Sequence, residues 1–387
     1  MSVLREIGAG GDAGRHYFWG GRLDDLKRVG PRRGGCAVVS LEQADTQSPA
    51  TVVDLPRLYS TCRGHMIVGK TEAFLQTAAV SHLHGKVNLI LTSPPFPLVR
   101  KKRYGNESGE RYVSWLSELA PQLADLLAPN GSIVVEVGNA WTKGSPTMST
   151  LPLEALLSFK KAGGLHLCQH IICHNPARLP SPAAWVNVRR IRLKDSFTHV
   201  WWMSRTETPK ADNRNVLLPY GKDMQRLLKS KKYNAGKRPS GHVISETGFL
   251  TNHSGAISPN VIDLSPDDLK LPTALLKFSN TAWDAKYRSY CERQKIQSHP
   301  ARMQSDLAAF FIQFLTEPGD LVFDPFAGSN TTGAVAEALG RRWISVEANE
   351  EYARGSKGRF KKFQRTPADP TKVNDTVKRK GDRSARF

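Results

Sequence analysis

Residues 323–352, FDPFAGSNTTGAVAEALGRRWISVEANEEY, constrain the fold of this chain more than any other stretch. An apolar run ends in Asp324, and a turn of small residues follows at Ala327, Gly328 and Ser329. A helical stretch then starts near Thr331, and a second apolar run closes on Glu347. Strand, tight turn, helix, and a strand ending in an acid form the βαβ unit that binds nucleosides in Rossmann-type folds. Small side chains let backbone approach a ligand, and the N–H groups at a helix start favour an anionic group. An acid about 20 residues on is placed to accept hydrogen bonds from both hydroxyls of a ribose. No Gly-Lys-Ser/Thr follows the turn, so it is not a phosphate-binding P-loop. It is not a strict Gly-x-Gly-x-x-Gly either, which argues against a dinucleotide.

The same alternation runs upstream. Strands are predicted over 65–69, 87–93, 132–137 and 165–174, and helices over 71–80, 112–128 and 151–162. Strands alternating with helices of ten or more residues imply a mostly parallel sheet covered on both faces. Residues 185–205 read as two strands, WVNVRRIRL and SFTHVWWMS, turning at Lys194-Asp195 into a hairpin at the sheet edge. Residues 206–297 are rich in Pro, Lys, Asn and Ser with only short apolar runs, as an inserted module would be. The pattern resumes with a helix over 300–315, Pro300 sitting in its first turn. A strand over 321–323, a helix over 331–339, a strand over 343–346 and a last helix from Glu350 follow. The expected organisation is an extension (1–60), a first α/β half (61–205), the module (206–297), a second half (298–363) and a basic tail (364–387).

A second motif lies at residues 89–106, LILTSPPFPLVRKKRYGN. A buried strand ends in Ser93-Pro94-Pro95-Phe96, at the carboxyl edge where α/β enzymes place their sites. Two prolines stiffen the backbone and restrain the residue before each of them. The Ser93 hydroxyl and the Pro94 carbonyl then aim at one point beside the Phe96 ring. A stiff pair of acceptors beside an aromatic face suits an amino group on a flat heterocycle.

Charge narrows the partner. The chain of 387 residues carries a formal charge of +20. Residues 178–240 hold 15 Lys/Arg against four Asp/Glu, and residues 353–387 hold 12 against three. Such a balance attracts polyanions, nucleic acid first. The candidate phosphate contacts are Arg189, Arg190, Arg192 and Lys194, which alternate with apolar residues, and Lys229, Lys231 and Lys232 in the densest basic stretch. No run of 18 apolar residues spans a membrane, and the first residues lack a secretory apolar core. The five cysteines include no Cys-x-x-Cys, so reduced thiols in a cytoplasmic protein are expected. No metal site is expected.

SPPF followed far downstream by DPFAGSNTTG resembles the amino-methyltransferases that act on DNA. The order, catalytic motif before cofactor motif, is similar to the β class of that family. RKKRYGN, GSIVVEVGNAWTKGSPT, NPARLPSPAAWVNVRRIRLKDSFTHVWWMS, KADNRNVL and HPARM extend the likeness to the PvuII-type cytosine-N4 methyltransferases of restriction–modification systems. The resemblance implies a Rossmann-like fold dependent on S-adenosylmethionine, with a twisted, mostly parallel sheet and an inserted target-recognition module. It implies catalysis by Ser93, Pro94, Pro95 and Phe96. It puts Asp324 and the turn Gly328, Ser329, Asn330, Thr331 and Thr332 against the methionyl part, with Glu347 on the ribose. His299 would close the methionine end, and Phe326 would lie near the reactive methyl or the adenine. The substrate implied is double-stranded DNA whose target base is flipped out, methylated by a monomer, with a restriction endonuclease recognising the same site. Ser93 favours cytosine-N4; adenine-N6 and a non-catalytic DNA-binding regulator are the alternatives.

The sequence departs from the family at two points. The turn reads GSN where GSG is commoner, and Asn330 is the substitute that best tolerates positive φ. Gly69-Lys70 stands where Gly-Asp is common, leaving Glu72 as the nearby acid.

Overall fold

In the computed structural model the described residues are 55–96, 109–263 and 280–363, all within one unit, Gln47–Phe387. Most of the expected extension, the RKKRYGN stretch and the basic tail lie outside them. The first half contains β1 (Arg57–Ser60), β2 (Gly64–Val68), α1 (Thr71–Leu75), α2 (Ala78–Ser81), β3 (Val87–Thr92), α3 (Glu110–Leu126), β4 (Leu127–Gly138), α4 (Leu151–Ala162), β5 (His166–His174) and β6 (Phe197–Ser204). Next come α5 (Lys222–Ser230), β7 (Gly236–Lys237), β8 (Val243–Ile244), β9 (Val261–Asp263) and α6 (Asn280–Arg293). The second half follows with α7 (Ser305–Leu315), β10 (Leu321–Asp324), α8 (Thr331–Ala338), β11 (Arg342–Glu347) and α9 (Glu350–Ser356).

Among the described residues β7 and β8 pair alone, and the other strands form one sheet in the order β1-β2-β11-β10-β3-β4-β6-β5-β9. The five strands from β2 to β4 are parallel; β6 runs antiparallel between β4 and β5. The central strands bury both faces, as their continuous apolar runs require. Phe74, Leu116, Leu123, Phe159, Trp201 and Phe323 fill one side, beneath α1, α3 and α4. Leu307, Phe311, Val335, Leu89, Val134 and Trp343 fill the other, beneath α7 and α8.

Three expectations are corrected. Residues 185–193 are not a strand: 184–188 make a π-helical turn, and the rest is irregular and exposed. Both edges of β6 are already occupied, by β4 and β5, so a further strand has no ladder to join and its alternating apolar residues nothing to bury against. The predicted helix over 71–80 is two short helices, because Thr77 is extended (φ −79°, ψ 152°) and its hydroxyl donates to the Phe74 carbonyl at 2.7 Å. The predicted helix over 300–315 starts only at Ser305. Upstream of it, Tyr287 Oη accepts from His299 N (2.8 Å) and Asp284 pairs with Arg302 (3.0 Å), holding residues 299–302 off the helix.

Residues 206–297, expected as a module, are tied into the main body at several points. Lys210 pairs with Glu317 and Asp320, Val216 is buried in the core, and β9 extends the sheet beside β5. On α6, Tyr287 and Cys291 are buried.

Candidate functional site

Strand order reverses between β3 and β10: the chain leaves β3 for β4 on one side and β10 for β11 on the other. A crevice must open at the carboxyl ends of two such strands. It is bridged at its floor by Thr92 Oγ1, which donates to Asp324 Oδ1 at 2.7 Å. Above the floor lies a cavity of about 590 Å³, within the ~300–1,000 Å³ usual for small-molecule sites.

On the β10 side the backbone is shaped into a cradle. Gly328 has φ +51°, and a Cβ there would come within 3.1 Å of the His299 ring. Glu347, at the end of β11, accepts from Gly328 N (2.7 Å) and Asn349 N (2.9 Å). Asn330 takes the left-handed conformation (φ 54°, ψ 46°), as expected, and caps α8 by accepting from Gly333 N at 3.1 Å. Its side chain also accepts from Ser345 Oγ (2.8 Å) and donates to Tyr59 Oη (3.1 Å). Asp324 accepts from Phe326 N at 3.1 Å as well as from Thr92. Burial pushes its carboxyl up to about 6 against those hydrogen bonds, and burial raises Glu347 too, with the Asp324 charge adding to it.

On the β3 side, Ser93, Pro94, Pro95 and Phe96 line the same cavity. Phe96 lies against the end of β4: a Cβ at Gly138 would meet its ring at 2.6 Å. Glu136, on β4, is buried, lines the cavity, and accepts from Thr198 Oγ1 at 3.0 Å. Burial raises its carboxyl, opposed by hydrogen bonds from Thr198 and Ser93 and by the Arg178 charge. Ser93 and Glu136 thus share one wall of the cavity, the serine hydroxyl beside the acid. Trp115 donates to Glu72 Oε1 (2.6 Å) and packs against Phe326 at 5.5 Å.

Of the residues expected at the cofactor, His299, Asp324, Phe326, Gly328, Ser329, Thr331, Thr332 and Glu347 line the cavity. Asn330 does not: its side chain is fully buried and turned into the protein. Arg189, Arg190, Arg192, Lys194, Lys229, Lys231 and Lys232 are exposed and outside it. Sequence reasoning missed Glu136, Thr198 and Arg178. The available signal was Glu136 itself, an acid inside the apolar run SIVVEV. It also missed Arg359, whose side chain is wholly buried, pairs with Asp284 (3.0 Å), and donates to Ser329 O (2.7 Å) and Ser329 Oγ (2.8 Å). That arginine fixes the turn from behind, and in the sequence it is hidden in a basic run.

Comparison with known proteins agrees with this geometry. A family model described as DNA methylase matches residues 87–358. The chain is 41% identical over 304 residues to the type II methyltransferase M.PvuII of Proteus hauseri, covering 78% of this chain and 85% of that protein. It is 26% identical over 278 residues to the orphan methyltransferase M.BamHII of Bacillus amyloliquefaciens, covering 72% of this chain and 89% of that one. The solved structure of the cytosine-N4-specific PvuII DNA methyltransferase superimposes with a TM-score of 0.58 at 35% identity, covering 79% of this chain and 88% of that one.

Proposed function

The chain belongs to the DNA methylase family, and from that membership and the cavity we propose that it methylates the exocyclic N4 amine of cytosine in double-stranded DNA. The methyl donor is S-adenosylmethionine. The observation that carries the reading is that Ser93, Phe96 and Glu136 open into the same cavity as the cradle formed by Gly328 and Glu347.

The residues present fit the donor. A carboxylate has about four lone-pair positions; two on Glu347 are taken by backbone N–H groups, and the others are available to ribose hydroxyls. Gly328, Ser329, Thr331 and Thr332, at the turn and the start of α8, would receive the methionyl end, with His299 closing over it. When bound, S-adenosylmethionine supplies an electrophilic methyl on a sulfonium.

On the base side, an aromatic amine is a poor nucleophile because its lone pair is delocalised into the ring. Hydrogen bonds from the amine to Ser93 Oγ and the Pro94 carbonyl pull the nitrogen towards tetrahedral geometry. Glu136, beside Ser93 on the cavity wall, is placed to accept a hydrogen bond from its hydroxyl and so orient it. So held, the N4 lone pair would be aimed at the methyl that the donor would supply, with the amine proton passing to solvent. No covalent enzyme intermediate is needed, and the rate rests on positioning and electrostatics. The base must leave the duplex to reach this point, with Phe96 stacking on it.

The protein is proposed to act in the cytoplasm as a monomer alongside a restriction endonuclease of the same site, without a stable complex between them. Among the described residues no helix is long and apolar enough to cross a membrane. The test is incubation with mixed-sequence plasmid and labelled S-adenosylmethionine, then mass spectrometry of the nucleosides. N4-methylcytosine is expected. N6-methyladenine would overturn the reading of Ser93, and no methylated nucleoside would overturn the substrate.

A further inference from the structure

The segment between β5 and β6 presents an unusual surface. Leu193 is 90% exposed, Leu179 83% and Val188 78%, among the most exposed large apolar side chains of the described residues. Exposed apolar side chains scattered singly need no explanation, but grouped ones mark an interaction surface. Interleaved with them are Arg189, Arg190, Arg192 and Lys194, all exposed.

The segment is held firmly at its neck. Arg178 donates to the Phe197 carbonyl (2.8 Å) and pairs with Asp195 (3.5 Å). Asn139 Nδ2 donates to Asp195 at 2.6 Å, and Lys194 Nζ donates to the Pro176 carbonyl at 2.7 Å. The last bond sets residues 176 and 194 side by side, so Leu179 and Leu193 emerge from one neck. Further out, the Arg189 guanidinium lies over the Trp185 ring at 5.2 Å, and Ile191 N donates to the Trp185 carbonyl at 3.0 Å. The neck stands on the rim of the cavity, because Arg178 and Thr198, at its two ends, both line it.

We propose that residues 178–195 form the wedge that enters the duplex at the target base. Leu179, Val188 and Leu193 occupy the space the base leaves, while Arg189, Arg190, Arg192 and Lys194 neutralise the flanking phosphates. The inference rests on the DNA-methyltransferase reading. Its occupant follows from the chemistry: a partner that is polyanionic outside and apolar between its stacked bases matches cations interleaved with exposed aliphatic side chains. The one acid of the segment, Asp195, is already tied to Arg178 and Asn139. Apolar side chains inserted between base steps stabilise an unstacked duplex, and an extruded base leaves such a gap.

The experiment compares the full-length wild type with Leu179→Ala/Leu193→Ala on two duplexes carrying the methylated site mapped on plasmid. One is fully paired; in the other an abasic position faces the target cytosine. The substituted side chains are exposed, so folding is retained, and S-adenosylmethionine affinity by calorimetry should be unchanged. A loss of about tenfold or more in kcat/KM is expected on the paired duplex, with recovery to within about twofold of wild type on the abasic one, where extrusion is easier. Equal loss on both duplexes, or no loss on the paired one, overturns the wedge. Arg190→Ala should weaken binding to both duplexes and make the dependence of log K on log salt shallower by about 1. An unchanged slope would remove the phosphate contact. A plasmid on which the wild-type chain leaves no methylated site refutes the methyltransferase reading itself, an outcome separate from failure of the wedge.

Discussion

Asn330 gives the sharpest stability test, because a backbone effect and a side-chain effect can be separated at one position. Its left-handed conformation disfavours any residue with a Cβ by about 1–2 kcal/mol, a penalty that glycine escapes and asparagine offsets with its own hydrogen bonds. Those bonds are to Gly333 N, Ser345 Oγ and Tyr59 Oη, all in a fully buried setting. Tyr59 keeps a partner without Asn330, since its hydroxyl also bonds Ser356 Oγ at 2.6 Å. Gly333 N and Ser345 Oγ lose the acceptor they share. At about 1–3 kcal/mol for each of these two orphaned buried donors, Asn330→Gly should destabilise by roughly 2–6 kcal/mol. Asn330→Ala should lose the same bonds and add the backbone penalty, ending about 1–2 kcal/mol lower still. Urea unfolding of the three proteins measures both differences from the midpoints at constant slope. An alanine variant as stable as the glycine variant would refute the backbone argument. A glycine variant within about 0.5 kcal/mol of wild type, the range of a neutral surface change, would refute the buried network.

Three further outcomes follow from the site. Gly138→Ala puts a Cβ 2.6 Å from the Phe96 ring, and a displacement of about 1 Å at a reacting group costs up to about 10²-fold in rate. Turnover should fall on that scale with S-adenosylmethionine affinity intact; parallel loss of both would mean the ring is not on the base side. Glu136→Gln should raise the barrier by about 1.5–3 kcal/mol, the worth of a hydrogen bond to a charged group, and so lower kcat about 10- to 150-fold. Because burial raises the Glu136 carboxyl, wild-type kcat should fall as acid protonates it, and a glutamine variant with the same acidic limb would exclude this role. Asp324 titrates at about 6 instead of 3.8. A carboxyl raised on folding stabilises below its unfolded value and loses that stability as pH rises through its folded value. Without cofactor, the urea midpoint should therefore drop between pH 4 and pH 7, by on the order of 3 kcal/mol from this group. Asp324→Asn should flatten that drop, and an unaltered slope would contradict the assignment.

The parts of the fold legible in sequence were those whose burial leaves a periodic trace. The strands at 87–92 and 321–324 bury every position or nearly so, so their apolar runs stand out. The turn at Gly328–Asn330 was legible because positive φ restricts residue choice. What failed had no such trace. WVNVRRIRL alternates like a strand but lacks a neighbour to pair with, and pairing is decided by β4 and β5, far away in sequence. The start of α7 was misplaced because Pro300 suits a first turn, whereas Asp284 and Tyr287 on α6 hold the preceding residues elsewhere. Glu136 was visible as a letter, but its nearness to Ser93 depends on β3 and β4 pairing in register, Thr92 opposite Val135.

That the catalytic motif precedes the cofactor motif has no consequence for the site, and Asp324 shows why. Its carboxylate accepts from Thr92, one residue before the Ser-Pro-Pro-Phe motif, and from Phe326 N in the cofactor turn. One buried acid thus sets the spacing of two segments that are 232 residues apart in sequence. The same economy recurs behind the cradle. Asp284 pairs with both Arg302 and Arg359, and these hold the residues around His299 and Ser329. Removing Asp284 leaves the buried Arg359 uncompensated, at about 3–5 kcal/mol. The cradle therefore depends on α6, a helix that sequence texture assigns to the inserted module. The two halves and the segment between them must fold together before either motif has its geometry.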